Sequence, residues 1–189
     1  MREPLVDLNA RIAEQVRRLR GERGLSLDAL ANRSGVSRSM ISLIERGENN
    51  PTAVLLDRLA QALDVPLASL FDNPPPAEPI ARRADQTVWR DPASGYLRRS
   101  VSPTGPDIRT QIVEVEFPPQ ARVAYDSLPR QHAVQQQIWL LEGQLQLTVG
   151  PTVHRLGPGD CLAMTLDAPI VFHNPGDAPA RYVVVLTRA

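Results

Sequence analysis

The sequence has 189 residues, with 21 basic and 21 acidic side chains, 42% hydrophobic residues and only 4% aromatic ones. That length allows one medium domain or two small ones, each with a buried core. The single cysteine excludes an intrachain disulfide framework and a multi-cysteine zinc site, and no apolar run is long enough to span a membrane. The opening stretch, MREPLVDLNARIAEQ, is amphipathic without the apolar core of a secretion signal, so a soluble, cytoplasmic protein is expected. Every basic residue is an arginine, and the balanced net charge is compatible with a local basic face that binds nucleic acid.

Leucine and alanine at helical spacing organise the N-terminal part. Leu8, Ile12, Val16 and Leu19 make one apolar face of a first helix, which Gly21 and Gly24 end. Ser26 is a candidate N-cap, and Asp28 in the first turn suits the helix dipole, which predicts a second helix over Leu27–Asn32. Ser34-Gly35 makes a tight turn, Ser37 caps a third helix over Arg38–Arg46, and Gly47 stops it. Pro51-Thr52 opens a fourth helix with Leu55, Leu59 and Leu63 at spacing four. Pro66 suits the first position of a short fifth ending near Phe71.

The composition changes at Pro74-Pro75-Pro76-Ala77-Glu78-Pro79, an extended Pro-rich linker placed at residues 73–84. It separates a helical domain at 1–72 from a β domain at 85–189. Downstream, prolines and glycines punctuate short runs of Val, Ile, Leu and Thr. They predict strands at about 86–90, 96–101, 108–117, 121–126, 132–141, 144–149, 152–156, 160–165, 170–174 and 180–187. Many short strands without a helix between them point to a sandwich or closed barrel.

Two short helices joined by a glycine-containing turn can present the second helix to a major groove. In the third helix Ile41 and Ile44 point to the core. Arg38, Ser39, Ser42 and Arg46 share the opposite side at spacings of three and four. That side lacks large apolar residues, and arginine and serine are suited to base edges and phosphates. The stretch LSLDALANRSGVSRSMISLIERGENNPT resembles the lambda-repressor/Cro-like (Xre) helix-turn-helix family, most specifically in Leu30-Ala31, Gly35-Val36-Ser37, Ile44-Glu45-Arg46-Gly47 and Asn50-Pro51-Thr52. The resemblance implies a five-helix DNA-binding domain whose third helix reads bases. It makes Ser26, Asn49, Asn50 and Thr52 phosphate contacts and Glu45 a structural residue. Ser37 is counted with the interface but is first a cap. Arg17, Arg18 and Arg20 are read either as backbone contacts or as a solvated face.

Residues 85–188 resemble the cupin superfamily, a jelly-roll barrel, through Ile138-Trp139-Leu140-Leu141-Glu142-Gly143, Leu156-Gly157-Pro158-Gly159-Asp160 and Asn174-Pro175-Gly176-Asp177. Metal-binding cupins use three histidines and a glutamate; the matching positions here are Arg130, His132, Gln136 and Ile170. Arginine and isoleucine are not ordinary ligands and glutamine replaces a carboxylate poorly, so no metal, no cofactor and no catalysis are expected. Strand alternation puts His132, Val134, Gln136, Ile138 and Leu140 on one interior face and Ile170, Phe172 and Asn174 on another. Arg122, Tyr125 and Arg130 are placed at the barrel mouth. An effector pocket of Arg122, Tyr125, Arg130, His132, Gln136, Ile138, Ile170 and Phe172 follows, whose arginines favour an anionic small molecule. Cys161 is expected to be a small buried strand residue, and Trp139 to pack between sheets or across a subunit interface.

The combination resembles bacterial regulators with an Xre-type domain joined to a cupin sensor. It implies a homodimer on a near-palindromic double-stranded DNA operator, controlled by a small molecule in a metal-free barrel. The alternatives are a metal-dependent cupin isomerase or dioxygenase tethered to DNA, and a regulator whose barrel only dimerises.

Overall fold

In the computed structural model, which describes residues 8–71, 79–103, 108–127 and 134–188, the chain forms two units, Met1–Asp72 and Asn73–Ala189. Most of the expected Pro-rich linker, including Pro74, Pro75 and Pro76, lies outside the described residues.

The first unit is helical. α1 (Leu8–Glu22) turns Ile12, Ala13, Val16 and Leu19 inward, as their spacing dictates. α2 (Leu27–Ser34) starts at Ser26, whose Oγ accepts the Ala29 amide at 3.1 Å. It runs two residues past the expected Asn32 because Ser34 Oγ donates back to the Leu30 carbonyl at 2.7 Å and accepts the Val36 amide at 3.2 Å. Gly35 then closes the helix at φ 66°, a left-handed conformation that costs glycine nothing. α3 (Arg38–Glu45) is capped by Ser37, which accepts the Met40 amide at 3.2 Å, and α4 (Ala53–Ala62) by Thr52, which accepts the Leu55 amide at 3.3 Å. The expected fifth α-helix is instead a 3₁₀ turn, Leu67–Phe71, so the unit has four α-helices rather than five among the described residues. After Pro66 only five residues must bury Ala68, Leu70 and Phe71, and the tighter i→i+3 bond from Ser69 N to Pro66 O at 3.0 Å does this in a shorter span.

The second unit is built from ten described strands: β1 (Val88–Arg90), β2 (Leu97–Ser100), β3 (Thr110–Phe117), β4 (Arg122–Tyr125), β5 (Val134–Glu142), β6 (Leu145–Val149), β7 (Thr152–Leu156), β8 (Cys161–Thr165), β9 (Ile170–His173) and β10 (Ala180–Arg188). They form two antiparallel sheets, β1-β2-β3-β10-β5-β8 and β4-β9-β6-β7. Phe172 of one sheet stacks on Tyr182 of the other with ring centroids 6.0 Å apart, so the sheets meet face to face over a shared core. The two-residue period is strict in β5: Val134, Gln136, Ile138 and Leu140 are buried, while Gln135, Gln137 and Trp139 are exposed.

Two local devices hold this unit. Gly143, at φ 81° in the turn between β5 and β6, sits so close to the chain entering β10 that a Cβ would fall 2.8 Å from the Pro179 carbonyl oxygen. Asn174 is fully buried. Its Nδ2 lies 3.2, 3.1 and 2.9 Å from the carbonyls of Phe117, Pro118 and Ala178, and its Oδ1 accepts the Gly176 amide at 3.0 Å. The Asn-Pro-Gly-Asp motif is therefore a clamp that joins the ends of β3, β9 and β10.

Candidate nucleic-acid interface and barrel interior

The outer face of α3 is the one that the sequence spacing selects. Ile41 and Ile44 are buried beneath it, while Arg38, Ser39 and Arg46 are exposed and Ser42 is half-buried. Arg38 is anchored lightly by an ion pair with Asp28 at 3.2 Å, and its side chain keeps 63% of its exposure. Ser39 Oγ lies 3.2 Å from Ser37 Oγ. Ser26, Ser37 and Thr52 all spend an oxygen lone pair on a helix cap, but a hydroxyl that accepts there still has a proton to donate. Asn50 is exposed at the loop, whereas the Asn49 amide is turned against the Met40 sulfur at 3.3 Å.

Arg46 is less available than its place on the helix suggests. Its Nε and Nη2 grip both oxygens of Glu48 at 2.9 and 2.7 Å, and Nη1 donates to Ser42 Oγ at 2.6 Å. The hydrogen bonds to Glu48 hold the Arg46 guanidinium above its ordinary pKa and the Glu48 carboxyl below its own. Glu48 thus competes with a phosphate or base for the same fork. Replacing Glu48 with glutamine should tighten DNA binding about two- to fivefold, the worth of an exposed ion pair. Fluorescence anisotropy on one duplex at fixed salt checks this, and weaker binding would show that Glu48 positions Arg46 for DNA.

The basic run on α1 serves the fold more than the interface. Arg20 reaches across to α3, with Nε 2.6 Å from Glu45 Oε1, Nη2 2.9 Å from Oε2, and Nη1 donating to the Leu25 carbonyl at 2.8 Å. Arg17 donates to the backbone carbonyl of Glu45, at the end of the same helix. Only Arg18 stays on the solvent side, with Glu22 and Gln15. Arg20, Glu45 and the Leu25 carbonyl thus fix the pitch of α3 against α1.

In the β unit, Tyr125, Gln136, Ile138, Ile170 and Phe172 point into the barrel as the alternation requires. Arg122 does not: it stands an odd number of residues from Tyr125, and β4 places it exposed on the outer surface beside His173. Arg130 and His132 lie outside the described residues. Gln136 and Ile170, at the interior positions aligned with metal ligands, do not offer the donor set of a cupin metal centre. Among the described residues no group of three or more His, Cys, Asp or Glu is placed to hold a metal ion. Cys161 is exposed rather than buried, because it falls on the outward parity of β8, opposite Trp139 of β5.

One interior residue escapes the sequence reading. Arg98 of β2 is only 6% exposed, and the register sets it in an inward-facing row running Trp89, Arg98, Val115, Tyr182, Leu140 across five strands. The signal was present, since Arg98 and Arg99 are adjacent and must face opposite sides of a strand, but only the sheet order says which of them faces in. The scarce aromatics gather around it. Tyr96, Phe117, Tyr182 and Phe172 follow one another with centroids 5.8, 6.2 and 6.0 Å apart, and Phe172 meets Tyr125 at 5.8 Å. The Tyr125 hydroxyl closes the circle 3.1 Å from that of Tyr96.

Comparison with known proteins agrees with this geometry. Residues 16–70 match the helix-turn-helix family HTH_3, and residues 113–186 match the cupin domain family. The HTH-type transcriptional regulator SutR of Escherichia coli K12 is 26% identical over 90% of this chain and 91% of its own. The HTH-type transcriptional regulator y4dJ of Sinorhizobium fredii is 42% identical over 32% of this chain and 78% of its own. Among solved structures, an HTH_3 family transcriptional regulator from Vibrio cholerae superposes with a TM-score of 0.78 at 26% identity, covering 96% of this chain and 98% of that one. The iron(II) form of HppE, at 18% identity, a TM-score of 0.50 and coverage of 94% and 98%, shares the fold alone.

Proposed function

The chain belongs to the Xre-like helix-turn-helix transcriptional regulators, here joined to a cupin domain, and on that premise we propose that it is a homodimeric, sequence-specific DNA-binding regulator controlled by a small molecule in a metal-free barrel. The observation that carries this reading is the outer face of α3. It shows Arg38, Ser39, Ser42 and Arg46 to solvent above a buried Ile41 and Ile44, a surface of short polar and forked cationic groups that fits a major groove. Ser26, Ser37, Asn49, Asn50 and Thr52 at the adjoining helix starts and loop are the phosphate contacts that would fix its register. An effector that binds two operator-related states unequally shifts DNA affinity by that difference.

Arg38 is the sharpest test, because its one ion pair, with Asp28, is exposed on both sides. Replacing it with alanine should cost about 1–3 kcal/mol of specific binding and relax the preference at one base position. Competition gel shifts with specific and scrambled duplexes measure both. Equal losses on the two duplexes would make Arg38 a phosphate contact, and wild-type binding would remove it from the interface.

The enzyme alternative finds no support in Gln136 and Ile170 at the interior positions a metal would need. The proposed effector is held by the barrel's own polar groups.

A further inference from the structure

Arg98 is out of keeping with its surroundings. The other charged residues whose burial is described on the ten strands lie exposed or half-buried, and Arg99 and Arg181 pair with Glu114 on the outer face at 3.5 and 3.2 Å. Arg98 faces inward, with Val115, Tyr182 and Leu140 in its row and the aromatic circle beside it. Bringing a guanidinium out of water costs several kcal/mol, and a hydrocarbon side chain in that row would pack without this cost. All three tyrosines of the chain stand in the circle next to it, with two of its three phenylalanines. Convergent polar groups within apolar and aromatic walls are the makings of a small-molecule site.

The nearby groups also indicate the charge of the ligand. Burial holds the Tyr182 phenol well above its ordinary pKa, the neighbouring Tyr96 raises it further, and Arg98 only partly opposes this, so Tyr182 stays a neutral phenol at physiological pH. Asp91, also buried, spends its Oδ2 on the amide and hydroxyl of Ser94 at 2.8 and 2.6 Å, closing the turn before β2. The Tyr96 and Tyr125 hydroxyls carry two protons between them, and their mutual contact uses one; the second is available to an acceptor. A planar fork with a phenolic donor beside it matches a carboxylate. One positive charge suits a monoanion, and Val115, Ile138, Leu140 and Phe172 suit an apolar body.

We propose that Arg98, with the phenols of Tyr96 and Tyr125, holds the anionic end of the effector, and that this effector is a small organic monocarboxylate with an apolar body. The inference rests on the effector reading above and names its ligand class; it moves the anion anchor from Arg122 and Arg130 to Arg98.

The test uses the full-length protein and thermal unfolding of its β signal. Butyrate, hexanoate, benzoate and phenylacetate are each titrated beside the matching amide. At least one carboxylate should raise the midpoint saturably and its amide should not. Arg98→Met, which keeps length and removes charge, should lose the response at least tenfold. Arg98→Lys, which keeps charge without the fork, should weaken it about fivefold and serves if the methionine variant fails to fold. An undiminished response in either folded variant overturns the anchor while leaving the effector reading in place. An equal response to the amide overturns the ligand's charge and again spares that reading. If no carboxylate acts, the ligand class is overturned. Native mass spectrometry of the purified protein then decides the effector reading: a retained neutral molecule preserves it, and an empty barrel counts against both.

Discussion

Replacing Glu45 with alanine should lower the unfolding midpoint of the helical unit by about 12–24 °C, since about 3 kcal/mol is lost and each kcal/mol is worth about 4–8 °C in a domain of this size. The carboxylate side chain is 7% exposed and accepts both prongs of Arg20, itself 20% exposed. Removing it leaves a largely buried guanidinium without its counter-charge, which costs more than the pair contributed while intact. The figure sits at the low end for buried pairs because Arg20 keeps contact with water and retains the Leu25 carbonyl as acceptor. Circular dichroism at the helical band isolates this unit, because the described α-helices all belong to it. The double variant Arg20→Met, Glu45→Met removes both charges and should recover most of the loss. A Glu45→Ala protein that melts like wild type would show that the pair is merely peripheral to α1 and α3.

Replacing Trp139 with glutamate should turn the proposed dimer into a monomer and weaken operator binding about 10²–10⁴-fold, the range by which linking two half-sites raises effective concentration. Trp139 is 49% exposed and Ile112 37%, on the outer face of the six-stranded sheet. The register joins them into adjacent rows, Ile112, Val185, Gln137, Ala163 and Glu114, Val183, Trp139, Cys161. An exposed aromatic at the centre of a β-branched patch, with Glu114, Arg181 and Glu142 at its rim, has the makeup of a self-pairing surface. Sedimentation gives the oligomeric state, and a single half-site duplex should bind the variant as it binds wild type, because α3 is untouched. A variant that stays dimeric places the pairing elsewhere. A monomer with full operator affinity removes dimerisation from DNA recognition.

Elements set by short-range rules were legible in the sequence. Ser26, Ser37 and Thr52 are caps because a hydroxyl before a helical run satisfies an amide that the helix itself cannot, and that need is local. The outer face of α3 follows from Ile41 and Ile44 by helical spacing alone. The alternation from Val134 to Leu140 required a half-buried strand, and placed Gln136 and Ile138 inside before any partner strand was known. The family motifs Ile44-Glu45-Arg46-Gly47 and Asn174-Pro175-Gly176-Asp177 marked the two folds through turns that the chain makes with its near neighbours.

What remained hidden depends on which strand lies beside which. Alternation says that Arg98 and Arg99 face opposite ways, but only the neighbour β3, itself paired to β10 across the sheet, makes the Arg98 side the interior. Arg122 looked like a barrel-mouth residue because it is near Tyr125 in sequence, yet its parity sends it outward. Cys161 looked buried as a small strand residue, yet it lies on the solvent face because β5 pairs with β8 through Trp139. Arg20 and Glu45 were assigned to a solvated face and a structural role with nothing to join them; their ion pair spans 25 residues and exists only once α1 packs on α3. A side chain's direction along its own helix or strand is fixed by backbone geometry, which the sequence encodes residue by residue. Whether that direction is the inside, and which charge it meets there, is fixed by contacts between distant segments, which only the packed chain decides.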